Sequence, residues 1–245
     1  MKIAVRFFGV LLASALMTAI AAADGASDEA LRETIETKFA KSKITNGGGP
    51  LVTVEGGVVT LEGQVRSLWA KNKAIALALE QRSVSSVEDA LTVALGESDE
   101  HTAGAIAKSI GSYAFFTVYD DVQIAVLDGN VKLVGRVTMP FKSSEIATRV
   151  SKIMGVQSID NAIVTLPTNI GDQKIRANLA YRLYSDSLFR EYAFRANPPI
   201  HIIVERGRVA LTGAVRTEVE KRKAEHIARQ TFGVFRVENR LTVGD

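Results

Sequence analysis

The chain contains three histidines and no cysteine, so its metal or nucleophile chemistry would have to run through imidazoles or carboxylates. His101, His201 and His226 fall in three separate segments, and no two have metal-ligand spacing. No serine sits in a nucleophile-elbow motif. Gly47-Gly48-Gly49 before Pro50 has the composition of a phosphate loop. It lacks the following lysine and the strand-to-helix setting, so it reads as a connecting loop. The residue types predict no catalytic centre, no metal and no cofactor. Whatever the chain does must come from surfaces that its elements present.

Those elements are repetitive. Gly57-Val-Val-Thr-Leu-Glu-Gly-Gln-Val65 recurs as Gly129-Asn-Val-Lys-Leu-Val-Gly-Arg-Val137 and as Gly207-Arg-Val-Ala-Leu-Thr-Gly-Ala-Val215. Each is followed by a second phrase, Val87-Glu-Asp-Ala-Leu91, Ile159-Asp-Asn-Ala-Ile163 and Val237-Glu-Asn-Arg-Leu241. The step from Gly63 to Val87, from Gly135 to Ile159 and from Gly213 to Val237 is 24 residues each time. A fixed step without gaps means one small module used three times. Modules of this size lie near the lower limit for independent folding, so they are expected to lean on neighbours or a partner.

The third copy gives the plainest element order. Asp172 is the expected N-cap, and Ile175, Leu179 and Leu183 fall at helical spacing. The helix either continues or breaks through Ser185-Asp186-Ser187, and Pro198-Pro199 ends it. Ile200, Ile202 and Val204 alternate as a strand, Gly207 turns, and Val209 and Leu211 alternate back. In the second copy that turn is Asp128-Gly129, a strong hairpin signal. Thr217 and Glu220 form a capping box, and Ala224, Ala228, Thr231 and Phe232 are expected on the buried side. Gly233-Val234, like Gly155-Val156, closes the helix, and Val237, Leu241 and Val243 form a last strand. Trp69, Phe141 and Val219 share one position ahead of the second helix, where core packing is expected. The fold class is therefore α+β, each module being helix-strand-strand-helix-strand with a three-stranded mixed sheet. The boundaries are 28–95, 99–167 and 171–243.

The glycine-valine-leucine-glycine-valine hairpin, the later glycine-valine and the closing valine-x-asparagine strand resemble the BON domain, named for bacterial osmotically inducible and nodulation proteins. The first copy departs at Ser83 and Asp89. The resemblance implies an exported envelope protein, attachment to phospholipid membranes, a part in envelope integrity or osmotic tolerance, and no catalytic centre. It implies structural roles for Gly57, Gly63, Gly129, Gly135, Gly155, Gly207, Gly213, Gly233, Asn161 and Asn239. The recurrent Asp89, Asn161 and Asn239 independently suggest a backbone-bonding role. Export fits the start of the chain. Lys2 and Arg6 precede a mostly apolar run from Phe7 to Ile20, and Ala21-Ala22-Ala23 offers a cleavage site, so residues 1–23 read as a signal peptide leading to the periplasm.

Charge and aromatics set the binding expectations. Residues 24–98 hold 8 basic and 11 acidic side chains, residues 99–171 hold 6 and 7, and residues 172–245 hold 14 and 9. The basic third copy suggests an anionic partner, a phospholipid surface before a cell-wall carboxylate, and after export no nucleic acid. Phe189, Arg190, Tyr192, Phe194 and Arg195 interleave rings and guanidinium groups as a lipid-contact patch would. The same residues also suit a core in which Phe189 and Tyr192 pack and the arginines reach water. Tyr113, Phe115, Phe116 and Tyr119 suit an apolar interface with a neighbouring copy. Ile203 marks a contact surface if its sheet face is left uncovered by helices. The alternative to membrane binding is a scaffold for envelope proteins, the cell wall or self-association.

Overall fold

The computed structural model describes residues 10–42, 44, 49–195 and 197–244, the side chains of 10–24 and 26 excepted. Lys2, Arg6 and the start of the apolar run, with Gly47 and Gly48, lie outside the described residues. The chain divides into two compact units, Met1–Ala94 and Leu95–Asp245.

The first unit holds one module: α1 (Val10–Lys41), β1 (Leu51–Glu55), β2 (Val58–Val65), α2 (Leu68–Leu79) and β3 (Ser86–Val93). Two modules make the second unit. One comprises α3 (Asp99–Gly111), β4 (Asp121–Leu127), β5 (Asn130–Val137), α4 (Pro140–Ser151) and β6 (Ser158–Thr165). The other comprises α5 (Ile170–Ser185), α6 (Arg190–Ala193), β7 (Ile200–Glu205), β8 (Arg208–Val215), α7 (Glu218–Arg229), β9 (Arg236–Asn239) and β10 (Thr242–Val243). Each sheet pairs its first two strands antiparallel and its last strand parallel to the second, so a helix must carry the chain back across the sheet. The two helices of each module cover one sheet face. In the third module Leu179, Leu183, Ala224 and Ala228 meet Ile202, Val204, Val209 and Leu211 there.

A recurrent aspartate ties the first helix to the hairpin. Both central residues of each turn have positive φ: Gly56 (57°) and Gly57 (79°), Asp128 (50°) and Gly129 (74°), Arg206 (52°) and Gly207 (73°). This is the mirror-image turn whose twist suits the flanking strands. Its two amides point outward and need acceptors. Asp28 accepts from Gly56 N and Gly57 N, Asp99 from Asp128 N and Gly129 N, and Asp172 from Arg206 N and Gly207 N. The carbonyl of the second turn residue then accepts the amide that leads into the last strand, from Ser85, Gln157 and Phe235. Asp172 is thus not the N-cap. Asn169 caps α5, and its side chain accepts from Asp172 N at 3.0 Å, which leaves the aspartate carboxylate free for the turn.

The recurrent Asp89, Asn161 and Asn239 bond to nearby backbone. Each carboxylate or amide oxygen accepts from the amide two residues on, at Leu91, Ile163 and Leu241. The asparagines also donate to Ser143 and Lys221 carbonyls on the second helix. Asp89 has no such donor, and Lys71, at the matching helix position, reaches its carboxylate at 2.9 Å.

One open alternative is decided and two local expectations change. The helix breaks after Ser185 and resumes as the one-turn α6. The last strand of the third module is interrupted at Arg240, whose amide turns to the Leu211 carbonyl. Phe141 and Val219 are exposed where core packing was expected, while Trp69 is half-buried. In the third module the buried place at the helix entry goes to Glu220, which closes the capping box and accepts from Tyr192 Oη at 2.9 Å.

The second and third modules are joined within their unit. Ile202 N donates to the Val118 carbonyl at 2.6 Å, so the segment before β4 covers the free edge of β7. Asp120, wholly buried, holds that segment in place. It accepts from Thr117, from Thr138 and from Lys142 Nζ at 2.7 Å. Phe116 lies against the His201 ring, 5.4 Å between centroids. Burial lowers the His201 pKa from the ordinary 6.5, against the opposing pull of Asp121 and Asp120.

Asp172→Ala leaves two turn amides without acceptors and should cost about 3 kcal/mol, read from the denaturant midpoint. Asp28→Ala, at a more exposed turn, should cost about 1 kcal/mol. His201 binds its proton less readily folded than unfolded. Stability should therefore fall as pH drops below about 6.5, and melting curves of His201→Phe should lose that slope.

Candidate functional site

The third module presents an exposed aromatic surface at the hairpin end of its sheet. After α7 ends, Thr231 Oγ1 donates back to the Ile227 carbonyl, and Gly233 takes φ 89°. That turn throws Phe232 and Phe235 outward, 91% and 86% exposed. Phe232 is therefore not on the buried side of the helix as its spacing suggested. The helical period stops at Arg229, so residues beyond it no longer follow the buried stripe.

Phe235 rests on Gly207 of the turn that Asp172 holds. A Cβ on Gly207 would run into the Phe235 ring. Gly171, Ile175, Tyr181 and Gly233 complete a mainly apolar hollow of about 840 Å³, with Lys174 and Arg206 at its rim. Tyr181 and, nearby on α5, Ile170 are largely exposed as well. Arg182 fixes the far side of the loop by donating to the Gln230 carbonyl at 2.6 Å. Neither Lys174 nor Arg206 has an ion-pair partner among the described residues. Rings beside free cations, on a rigid turn, suit a surface that is apolar in depth and anionic at its boundary.

The equivalent ends of the other modules differ. Arg82 and Ser85, then Met154 and Gln157, stand where the third module has Phe232 and Phe235. Aligning the three copies in register shows this substitution in the sequence, though Phe235 had not been singled out there.

The residues singled out from the sequence scatter. Phe189 and Tyr192 belong to the core of the third module and are closed to any surface ligand. Their rings pack 6.2 Å apart, and the Tyr192 hydroxyl is used by Glu220 and by Arg216 N. Phe194, Arg190 and Arg195 remain exposed, with Arg195 over the Tyr192 ring at 5.4 Å. They sit by the start of β7, at the opposite end of the strand from Phe235. Tyr113 is in the core of its own module with Arg149 over its ring, and Phe115 is exposed against Phe141. Phe116 and Tyr119 lie at the junction with the third module. Ile203 is buried on a sheet face that carries no helices and shares a cleft with Val134 and Val164, so the contact it marks lies towards the second module of the same chain.

His101 lies exposed 3.4 Å from Glu97, and His226 is exposed on α7. Among the described residues no group of three or more histidine, cysteine, aspartate or glutamate side chains could hold a metal ion. No helix among them is long and apolar enough to cross a membrane.

Comparison with known proteins places the fold. The profile of the BON domain matches residues 27–94 and 172–245. The chain belongs to the BON domain family. The middle module has the same element order and strand register, but the profile does not match it. Membership points to an envelope-associated protein without catalysis.

No curated protein matches the sequence. Among solved structures, the C-terminal domain of CdsD, the structural protein of the type III secretion system of Chlamydia trachomatis, is 16% identical, with 87% of this chain and 96% of that chain covered and a TM-score of 0.25. The PrgH periplasmic domain is 14% identical, with 83% and 100% covered and a TM-score of 0.21. At such scores neither likeness carries an argument about this chain.

The two sets of aromatics should respond oppositely to truncation. Phe189→Ala should cost about 4 kcal/mol of unfolding free energy. Phe232→Ala with Phe235→Ala should change it by less than about 1 kcal/mol. Urea titrations of the two variants check both.

Proposed function

We propose that the protein is exported, is made of three BON modules, and docks peripherally on anionic phospholipid surfaces of the bacterial envelope. The observation that carries this reading is the Phe232 and Phe235 pair, exposed together and rimmed by free cations. Each ring transferred from water to the lipid boundary contributes about 2 kcal/mol, so two rings suit a reversible contact. The cations add a part that salt weakens. Tethered modules strengthen any weak contact their neighbours make.

The middle segment counts as a third module because its hairpin, aspartate clamp and closing asparagine repeat those of the two matched segments. Residues 1–23 serve as the signal peptide, which places the mature chain in the periplasm. Cleavage there would keep Leu31, Ile35 and Phe39, the residues by which α1 closes the first core.

Flotation of the mature chain with phosphatidylglycerol vesicles tests the docking surface. The wild type should float at low salt and lose much of this at high salt. Phe232→Ser with Phe235→Ser should weaken flotation by tenfold or more, about 1.4 kcal/mol or greater. Arg190→Glu with Arg195→Glu, at the other end of the module, should have a smaller effect. Undiminished flotation of the folded double-serine variant would remove this surface from consideration. Absence of flotation by the wild type would favour the scaffold reading, for which the exposed Phe115 and Phe141 pair is the surface to examine.

A further inference from the structure

The sheet faces of the second and third modules that carry no helices enclose a cleft of about 600 Å³. Its floor is apolar, with Ile203, Val134 and Val164 among its residues. Five arginines line it, Arg136 from β5 and Arg206, Arg208, Arg236 and Arg240 from the third module, against three carboxylates, Asp121, Glu205 and Glu238. The lining thus carries a net excess of two positive charges.

The carboxylates are already engaged. Glu205 takes Arg136 at 2.9 Å across the cleft, and Glu238 takes Arg240 at 2.8 Å. Asp121 accepts from Thr212 Oγ1 at 2.9 Å. The Arg136–Glu205 and Asp121–Thr212 contacts both join one module to the other, so the cleft walls are held before any ligand arrives. Arg206, Arg208 and Arg236 have no ion pair of this kind among the described residues.

Arg208 and Arg236 are moreover register partners on adjacent strands, so they share one face at neighbouring positions. Like charges so placed repel. The other modules avoid this arrangement. The matching pairs are Val58 with Ser86 and Asn130 with Ser158, and the latter two hydrogen-bond at 2.6 Å. Two residues further along, Lys132 faces Asp160 at 3.4 Å, a complementary pair. Only the third module places two guanidinium groups side by side, and both stay exposed along the lining of the cleft. A multiply charged anion would relieve the repulsion and take two planar donor forks.

We propose that this cleft binds a phosphate-bearing ligand carrying at least two negative charges, either a free phosphorylated molecule or a lipid headgroup. The proposal does not depend on the aromatic docking surface.

Calorimetric titration of the mature chain with inorganic pyrophosphate at low ionic strength tests it, alongside flotation with phosphatidylcholine vesicles containing cardiolipin. The variant is Arg208→Gln with Arg236→Gln, both exposed, and melting curves confirm that it folds. Arg190→Gln with Arg195→Gln removes the same charge at the other end of the module. Pyrophosphate affinity should fall at least about tenfold in the first variant and stay near wild type in the second, which identifies a free phosphate as sufficient. Flotation lost in the first variant alone, without pyrophosphate binding, identifies a headgroup. Equal behaviour of the two variants in both assays overturns the proposal. Phe232→Ser with Phe235→Ser should leave pyrophosphate binding intact, which separates failure of the cleft from failure of the docking surface.

Discussion

Each module is organised around a carboxylate that holds a hairpin turn. The mirror-image turn gives the two strands the right twist but leaves two adjacent amides facing away from the ladder. Asp28, Asp99 and Asp172 receive those amides from the first helix. The same turn offers its carbonyl to the chain entering the last strand. First helix, hairpin and last strand therefore meet at one point, and the second helix has to bridge the remaining distance. A module of about 70 residues has little core to fix these relations by packing alone. The clamp supplies direction where burial supplies only attraction.

The buried position one turn into the second helix shows how one scaffold serves different ends. It is Ala70 in the first module, Lys142 in the second and Glu220 in the third. Lys142 meets Asp120 and so fixes the segment that covers β7. Glu220 meets Tyr192 and Arg216 N, which draws the residues after α5 into the third core. A buried charge needs a partner close by. Each therefore recruits a chain segment that the shared repeat does not specify, and the two segments differ accordingly.

Function, on this view, lies in what the third module adds to the common plan. Its hairpin end carries two phenylalanines where the others carry Arg82 and Ser85 or Met154 and Gln157. Its helix-free sheet face carries adjacent arginines where the others carry neutral pairs. Neither feature alters the clamp or the core. Both sit next to the turn that the clamp holds, with Phe235 beside Gly207 and Arg208 directly after it.

Much of the fold was legible in the repeat itself. Glycines at fixed spacing, alternating valine and leucine, and the Thr217–Glu220 box define strand, turn and helix because those depend on neighbours within a few residues. The basic excess of the third copy was equally plain. The sites were not legible, for physical reasons that differ by residue. Phe189 and Phe232 are both phenylalanines beside a helix end, yet one is buried and the other is not. A break after Ser185 folds the first inward, and a positive φ at Gly233 turns the second outward, each a matter of chain direction and not of composition. Asp172 read as a cap because its partners, the amides of Arg206 and Gly207, are more than thirty residues away. Ile203 faces the second module, a contact that strand alternation alone does not specify. Local pattern fixed the elements, whereas only tertiary structure decided which faces remain open, since that depends on contacts between residues far apart in the chain.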